Sequence, residues 1–262
     1  MSDVNPDSSS MLDAVQSSSK ALTHGLEVLR LLSVSPRPVT STELAKKLGL
    51  HQSTVSRILK ILSKAGYVRK PDYHSFAPDY GILSLAGIAA ESFTLTTKPR
   101  KAVTELAERC NGLLVQLATL WRGDLIYFLR THKGHDPLLA SATGYPLHLS
   151  SVALRLLIDR PQEEALNVLE ESKRRYGWIR PAEIVPDSPG AVLDYARQHL
   201  RDDALVLRDY QRPGWLSASI CVRAAGEPPF CLALSGASSL MDDALIYERL
   251  KEGRKAIEEA LK

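Results

Sequence analysis

The residues best suited to chemistry lie close together in "GLHQSTVSRILKILSKAGY", from Gly49 to Tyr67. Val55, Ile58, Leu59 and Leu62 recur at the i, i+3, i+4, i+7 spacing of one helical face. Gln52, Ser53, Thr54, Ser56, Arg57 and Lys60 fall on the outward side. Short polar and basic groups on a helix backed by apolar residues suit double-stranded DNA. The major groove is about 12 Å wide and admits one helix. A glutamine there pairs with adenine and an arginine with guanine, so Arg57 is the strongest base reader of the set. Ser53 and Thr54 can bond phosphates or base edges from the helix start, which itself attracts phosphate. Ser53 could instead cap the helix, and Lys60 and Lys64 could be ordinary solvated lysines. Upstream, Lys46 and Lys47 are placed to hold the DNA backbone. Downstream, Arg69 and Lys70 enter an expected hairpin with Tyr73 and His74 near its tip, where a minor-groove or phosphate contact is available.

The charge distribution agrees. The net charge is only +3, yet residues 20–70 carry ten lysines or arginines against Glu27 and Glu43. The remainder is close to balance, apart from Asp3, Asp7 and Asp13 at the start. Localised positive charge is the footprint of a polyanionic partner.

Several elements must position these groups. "KALTHGLEVLRLLS" reads as a helix with Ala21, Leu22, Leu26 and Leu29 on one face, ended by "SPRP". Thr40 and Glu43 form a T-x-x-E capping box for a short helix with Leu44, Ala45 and Leu48 inside. Gly49 stands where a left-handed cap ends that helix, and Gly66 closes the next. Two short helices about a glycine-containing turn make a helix-turn-helix. Tyr67-Val68 and Ser75–Ala77, joined at Pro71-Asp72, read as a hairpin, or wing. "ILSLAGIAAESF" reads as a linker helix with a packing surface. A helix begins near Pro99 with Val103, Leu106 and Ala107 inside.

Beyond it, "LLVQLATLWRGDLIYFLRTH" reads as a hairpin about Arg122-Gly123-Asp124, and "HLSSVALRLLI" as a helix after Pro146. "QEEALNVLEESKRR" and "PGAVLDYARQHLRD" are helical. "WLSASICVRAAGEPPFCLALSG" gives two more strands, and "DDALIYERLKEGRKAIEEALK" a closing helix. Strands and helices in mixed order imply an α+β unit on an antiparallel sheet.

This half offers binding chemistry rather than catalysis. Ser150, Ser151, Ser217 and Ser235 are donors for a small carboxylate in a mostly apolar cup, or else small buried residues bonded to their own backbone. No G-x-S-x-G elbow, H-E-x-x-H helix or Walker A loop occurs. His132 and His135 in "HKGH" flank a turn and are not expected to bind metal. His148 reads as structural. Cys110, Cys221 and Cys231 form no C-x-x-C pair, so reduced, buried cysteines in a cytoplasmic protein are expected. No secretory signal and no run of 18 apolar residues is present.

The pattern as a whole resembles the IclR family of bacterial transcriptional regulators. "ALTHGLEVLRLLS…VTSTELAKKLGLHQSTVSRILKILSKAGYVRK" is similar to that family's winged helix-turn-helix, and its GL-x-x-ST-x-x-R-x-L-x-x-L-x-x-x-GY pattern runs unbroken from Gly49 to Tyr67. "GYPLHLSSVALRLLI" is similar to its "PLH" segment, and "LSASICVRAAGEPPFCLALSG" to its two late strands. The resemblance implies a GAF-like effector domain, dimers or tetramers, and small organic ligands, often metabolites or aromatic acids. By motif it carries effector contacts to Ser151, Val152, Asp209, Ser217, Ala233 and Ser235. Ser217 stands where cysteine is frequent, Ala233 where a hydroxyl residue is frequent, and "DYQRPGW" lacks the family's paired acids.

The expected fold is therefore α+β: an N-terminal winged helix-turn-helix, a linker helix and a C-terminal GAF-like effector-binding domain. The expected boundaries are a disordered tail over 1–18, the DNA-binding domain over 19–80, the linker helix over 81–96 and the effector domain over 97–262. The expected protein is a cytoplasmic homodimer or homotetramer. It binds a pseudo-palindromic operator under the control of a small organic effector, with no catalytic residue, no metal, no cofactor and no membrane partner. The rival is a catalytic small-molecule domain fused to a DNA-binding head. A purely architectural DNA binder would not need the second half.

Overall fold

The structure is a computed structural model that describes residues 7–133, 135, 138–142 and 145–262, with side chains for 20–133, 135 and 145–262. It divides into two compact units, Met1–Ala89 and Ala90–Lys262.

The first unit begins with helix α1 (Asp7–Val34), so residues 7–18, expected to be disordered, are helical. Its buried face also differs from the sequence reading. Val28 and Leu32 are buried, whereas Leu22 and Leu26 are exposed. The head is small, and only the last turns of α1 lie over it, so the earlier leucines remain uncovered. Strand β1 (Val39–Thr40) leads into α2 (Ser41–Leu48), whose capping box is complete: Thr40 Oγ1 accepts from Glu43 N–H, and the Glu43 carboxylate accepts from Thr40 N–H at 2.8 Å. Gly49 ends the helix at φ 65°. Helix α3 (Gln52–Lys64) buries Val55, Ile58 and Leu59. Gly66, at φ 79°, ends it in a Schellman arrangement, with Tyr67 N–H on the Leu62 carbonyl and Gly66 N–H on that of Ser63. The wing consists of β2 (Val68–Arg69) and β3 (Ser75–Pro78), and the sheet order is β1-β3-β2. The linker is α4 (Tyr80–Ser92), none of whose residues is buried, and a break at Phe93 separates it from the single turn α5 (Thr94–Thr97).

The second unit is one seven-stranded antiparallel sheet, ordered β6-β5-β4-β10-β9-β8-β7, with helices on both faces. Its strands are β4 (Leu114–Trp121), β5 (Asp124–Thr131), β6 (Leu138–Ala142), β7 (Leu200–Arg201), β8 (Ala204–Arg208), β9 (Trp215–Val222) and β10 (Phe230–Ala237). Alternation along each strand sends Val115, Leu117, Leu232 and Leu234 to a core under α6 (Arg100–Glu108) and α10 (Asp243–Ala260). The opposite residues, Ala118, Cys231, Ala233 and Cys221, face α7 (Ser151–Leu157), α8 (Gln162–Tyr176) and α9 (Pro189–Gln198). Strands β6, β7 and β8 escaped the sequence reading. The β7–β8 turn is the two-residue Asp202-Asp203, both at positive φ, which suits the twist of a tight hairpin. Arg122 and Gly123 make the same kind of turn between β4 and β5.

Among the described residues, no helix is long and apolar enough to cross a membrane.

Candidate nucleic-acid interface and ligand cleft

In the first unit, the register of α3 decides which side chains reach outward. Its inner side is held by Val55, Ile58 and Leu59 against Val28, Leu32 and Leu44. Gln52, Ser53, Ser56, Arg57 and Lys60 are exposed, and Thr54 is half-buried. His51 takes the N-cap position without a side-chain bond, which leaves the Ser53 hydroxyl two residues further in and not used as the cap. Gln52 reaches the Ser41 hydroxyl at 3.4 Å and joins α3 to the start of α2. Lys46 and Lys47 are exposed in the last turn of α2.

The wing treats its two cations differently. Lys70 lies over the rings of Tyr73 and Phe76, at 5.6 and 5.2 Å, and donates to the Tyr73 carbonyl. Together with Ser56, Lys60, Tyr73 and His74 it lines one groove between α3 and the wing. Asp72 holds the wing turn by accepting from the amides of His74 and Ser75, each at 2.8 Å. Arg69 donates to the Pro78 carbonyl and lines a different groove, with Tyr80, Ile82 and Leu83 of α4. Arg69 at the end of β2 and Lys70 just beyond it therefore line two different grooves.

In the second unit, a cleft of about 210 Å³ opens on the α7 face of the sheet. Four neighbouring strands supply its base: Tyr127 and Arg130 from β5, Gln116 from β4, Ala233 and Ser235 from β10, and Ser217 and Trp215 from β9. Gln116 is registered opposite Ala233, and Ser235 opposite Ser217, so these four form a block. Ser150 and Val152 close the cleft from the start of α7, and Tyr145 and Gln211 from loops. Gln116 donates to the Ser235 hydroxyl at 2.8 Å, and Ser151 shares a 2.7 Å hydrogen bond with Ser217. Burial pushes the Tyr145 phenol up to about 12 and raises that of Tyr127, so both rings present neutral hydroxyls.

Of the six expected effector contacts, Val152, Ser217, Ala233 and Ser235 line the cleft. Ser151 is fully buried behind it and reaches it only by its hydrogen bond with Ser217. Asp209 does not line it. At φ 55° its carboxylate accepts from Gly214 N–H at 2.6 Å, and its amide donates to the Trp215 carbonyl. Asp209 therefore shapes the loop that carries Gln211 and Trp215 into the cleft. Ser150 caps α7 through Ala153 N–H while also lining the cleft. Gln116, Tyr127, Arg130, Tyr145, Gln211 and Trp215 escaped the sequence reading, because strand pairing across residues far apart in sequence is what assembles them.

The other candidates take structural places. The His148 ring stacks on Trp178 at 3.9 Å, and its Nε2 meets the Ile179 carbonyl at 2.7 Å; burial lowers its affinity for a proton. His132 and His135 flank a turn closed by His135 N–H on the His132 carbonyl. Cys110, Cys221 and Cys231 are free and buried, with Cys221 and Cys231 directly opposite on β9 and β10. Among the described residues, no group of three or more His, Cys, Asp or Glu is placed to hold a metal ion.

Residues 21–72 match the IclR helix-turn-helix domain. No curated protein matches the chain. Among solved structures, an IclR-family transcriptional regulator from Brucella abortus is similar over 92% of each chain, at 23% identity and a TM-score of 0.76. A transcriptional regulator of this type from Alicyclobacillus acidocaldarius is similar over 93% of this chain and 99% of its own, at 18% identity and TM-score 0.71. An IclR homologue from Microbacterium hydrocarbonoxydans, complexed with 4-hydroxybenzoate, is similar over 92% of this chain and 98% of its own, at 19% identity and TM-score 0.68. The chain thus carries an IclR helix-turn-helix domain in residues 21–72 and has the two-part fold of IclR-type transcriptional regulators.

Proposed function

We propose that this IclR-type DNA-binding transcriptional regulator binds a pseudo-palindromic operator as a homodimer or homotetramer, and that a small organic acid in the sheet cleft sets that binding. The carrying observation is the outward face of α3: Gln52, Ser53, Ser56, Arg57 and Lys60 face solvent while the opposite side is closed by buried Val55, Ile58 and Leu59. Arg57 reads guanine, Gln52 adenine, and Lys46, Lys47, Lys60 and Lys70 hold phosphates. Thr54, Tyr73 and His74 add contacts at the helix start and wing tip. Arg69 braces the wing against α4 instead of touching DNA.

The apolar side chains left uncovered in the first unit support self-association. Leu22 and Leu26 of α1 and Tyr80, Leu83, Leu85 and Ile88 of α4 are each more than half exposed. A two-fold pair would place two α3 helices in successive major grooves. The effector changes operator affinity only by favouring one arrangement of the heads. The chain passes between its two units through α4, the natural transmitter.

The cleft supports binding over catalysis. Its serines are bonded to each other, to Gln116 or to the α7 backbone, and no histidine, aspartate or glutamate lines it among the described residues. Its volume lies below the roughly 300–1,000 Å³ of drug-sized pockets, as suits a one-ring or short-chain acid. The 4-hydroxybenzoate held by the Microbacterium hydrocarbonoxydans homologue is of this class.

The test is binding to the duplex upstream of the protein's own gene, against a scrambled duplex, at two salt concentrations, with and without a panel of small acids. Phosphate contacts alone give strong salt dependence and no preference. A preference that survives the higher salt and shifts with one acid is the expected result. Equal binding to both duplexes, or turnover of an acid without DNA, would replace this reading.

A further inference from the structure

We propose that Arg130 anchors the effector's carboxylate at the rim of the cleft and that the effector's neutral, hydroxyl-bearing end points to the floor. This rests on the effector-binding reading above and adds an orientation and a specificity-determining residue to it.

The lining separates by burial. Ser217, Ala233 and Gln116 on the floor are buried, while Arg130 is exposed at the mouth. Arg130 is also the only charged residue among the described residues that line the cleft. Its guanidinium lies 6.0 Å from the centre of the Tyr127 ring, and no carboxylate pairs with it among the described residues. A second guanidinium, Arg212, does not line the cleft but stacks 4.0 Å over Trp215, which does. The charge on the lining is therefore Arg130's alone, and Asp209, the acid of the loop that carries Trp215, is turned to Gly214 N–H.

The floor has the opposite character. Its polar groups are neutral, and they are already paired as Ser151–Ser217 and Gln116–Ser235. The Ala153 amide beside them is taken by Ser150. A carboxylate buried there would lose its hydration with no cation to replace it, which is the costlier burial. A phenol or alcohol fits instead, since each serine hydroxyl retains acceptor capacity. At the rim a guanidinium offers paired, charge-assisted donors to the two oxygens of a carboxylate. Tyr127 and Trp215 flank the space between the two levels, so a flat ring suits it.

The experiment is a titration of the full chain by tryptophan fluorescence with 2-, 3- and 4-hydroxybenzoate and the matching hydroxybenzamides, repeated with Arg130→Gln and with Ala233→Leu. Arg130 is exposed, so its replacement leaves the core intact. The expected result is an acid that binds the unaltered chain about 10- to 100-fold more tightly than its amide, the range for one charge-assisted contact. Arg130→Gln should abolish that discrimination without weakening the amide, and Ala233→Leu should weaken acid and amide alike. If an acid binds both the unaltered chain and Arg130→Gln equally, Arg130 is not the anchor, although the cleft remains an acid site. If Ala233→Leu leaves a discriminated acid unaffected, the acid binds elsewhere and the orientation fails. If no acid of the panel binds the unaltered chain, the aromatic-acid class and the anchor fail together.

Discussion

The two surfaces with chemistry to offer are built in opposite ways. The face of α3 and the wing comes from one continuous stretch, Lys46 to His74, and nearly every side chain on it is exposed. The cleft draws on four strands, one helix start and two loops, with contributing residues from Gln116 to Ser235. Exposed side chains on a rigid helix can be exchanged singly, because water replaces whatever they lose. Cleft side chains are shared with the core, so altering one disturbs its neighbours. Binding affinity is thus separable from folding in the first unit and entangled with it in the second.

Arg155 gives the largest contrast. Arg155 is buried on α7, donates through Nε to the Asp203 carbonyl at 2.9 Å, pairs with the Asp203 carboxylate, and meets Asp159 at 2.9 Å. Arg155→Met removes the cation that ties α7 to the β7–β8 turn. Breaking a buried pair costs about 3–5 kcal/mol when the remaining charge is left uncompensated. Asp203 keeps Arg254, Asp159 keeps Arg223, and both acids are partly exposed, so the loss should lie at or below the lower end. Urea unfolding should show a lower midpoint with that loss in the second unit, while operator affinity without effector stays unchanged. Intact stability would mean that α7 is held by apolar packing alone.

A comparable test in the first unit is Gly81→Ala. A Cβ there would stand 2.5 Å from the Gly66 carbonyl oxygen and 2.8 Å from the Tyr67 ring. The oxygen is backbone, so relief requires moving the start of α4. Overpacking of this kind costs about 1–3 kcal/mol. The loss should appear as a lower Tm for the head, with ligand affinity of the cleft unchanged. A parallel fall in ligand affinity would remove the separation drawn above.

Arg57→Ala should leave the Tm unchanged and weaken specific binding by about 1–3 kcal/mol, with relaxed preference at one base position. A flat effect across all duplexes would reduce Arg57 to a phosphate contact. Lys47→Ala acts more weakly still: binding should fall nearly alike on all sequences, and the salt slope should drop by about one. A binding curve that keeps its slope would take Lys47 off the backbone.

The same local and non-local division explains what could be read ahead of the structure. The T-x-x-E pair, Gly49 and the α3 apolar spacing are local patterns, and the capping box and left-handed cap stand where those residues place them. The α1 face went astray because periodicity does not say how far the head extends beneath a helix, and Leu22 and Leu26 project beyond it. Ser217, Ala233 and Ser235 were reachable through a family motif. Arg130 and Trp215 were not, since only the β5-β4-β10-β9 order brings them around one space. Asp209 was mislaid for a subtler reason: its left-handed backbone turns the carboxylate onto its own loop.

The smallest expected effect concerns the capping box, and its sign is fixed by titration. Glu43 is held at about 2, below its ordinary 4.5, first by the side-chain hydrogen bond from Arg37 at 2.6 Å and then by the backbone amide and hydroxyl of Thr40. A carboxylate whose folded affinity for protons is depressed contributes stability that is fully present above 4.5. That contribution falls as pH drops from there towards 2. The Tm of the head should therefore decline over this window in the unaltered chain. Glu43→Gln should be slightly less stable near neutrality, because an amide keeps the box geometry but not the charge facing Arg37. Its decline on acidification should be shallower by the same margin. Identical acid profiles would mean that Glu43 acts only through its hydrogen bonds, leaving its charge without effect on an exposed surface where solvent screens it.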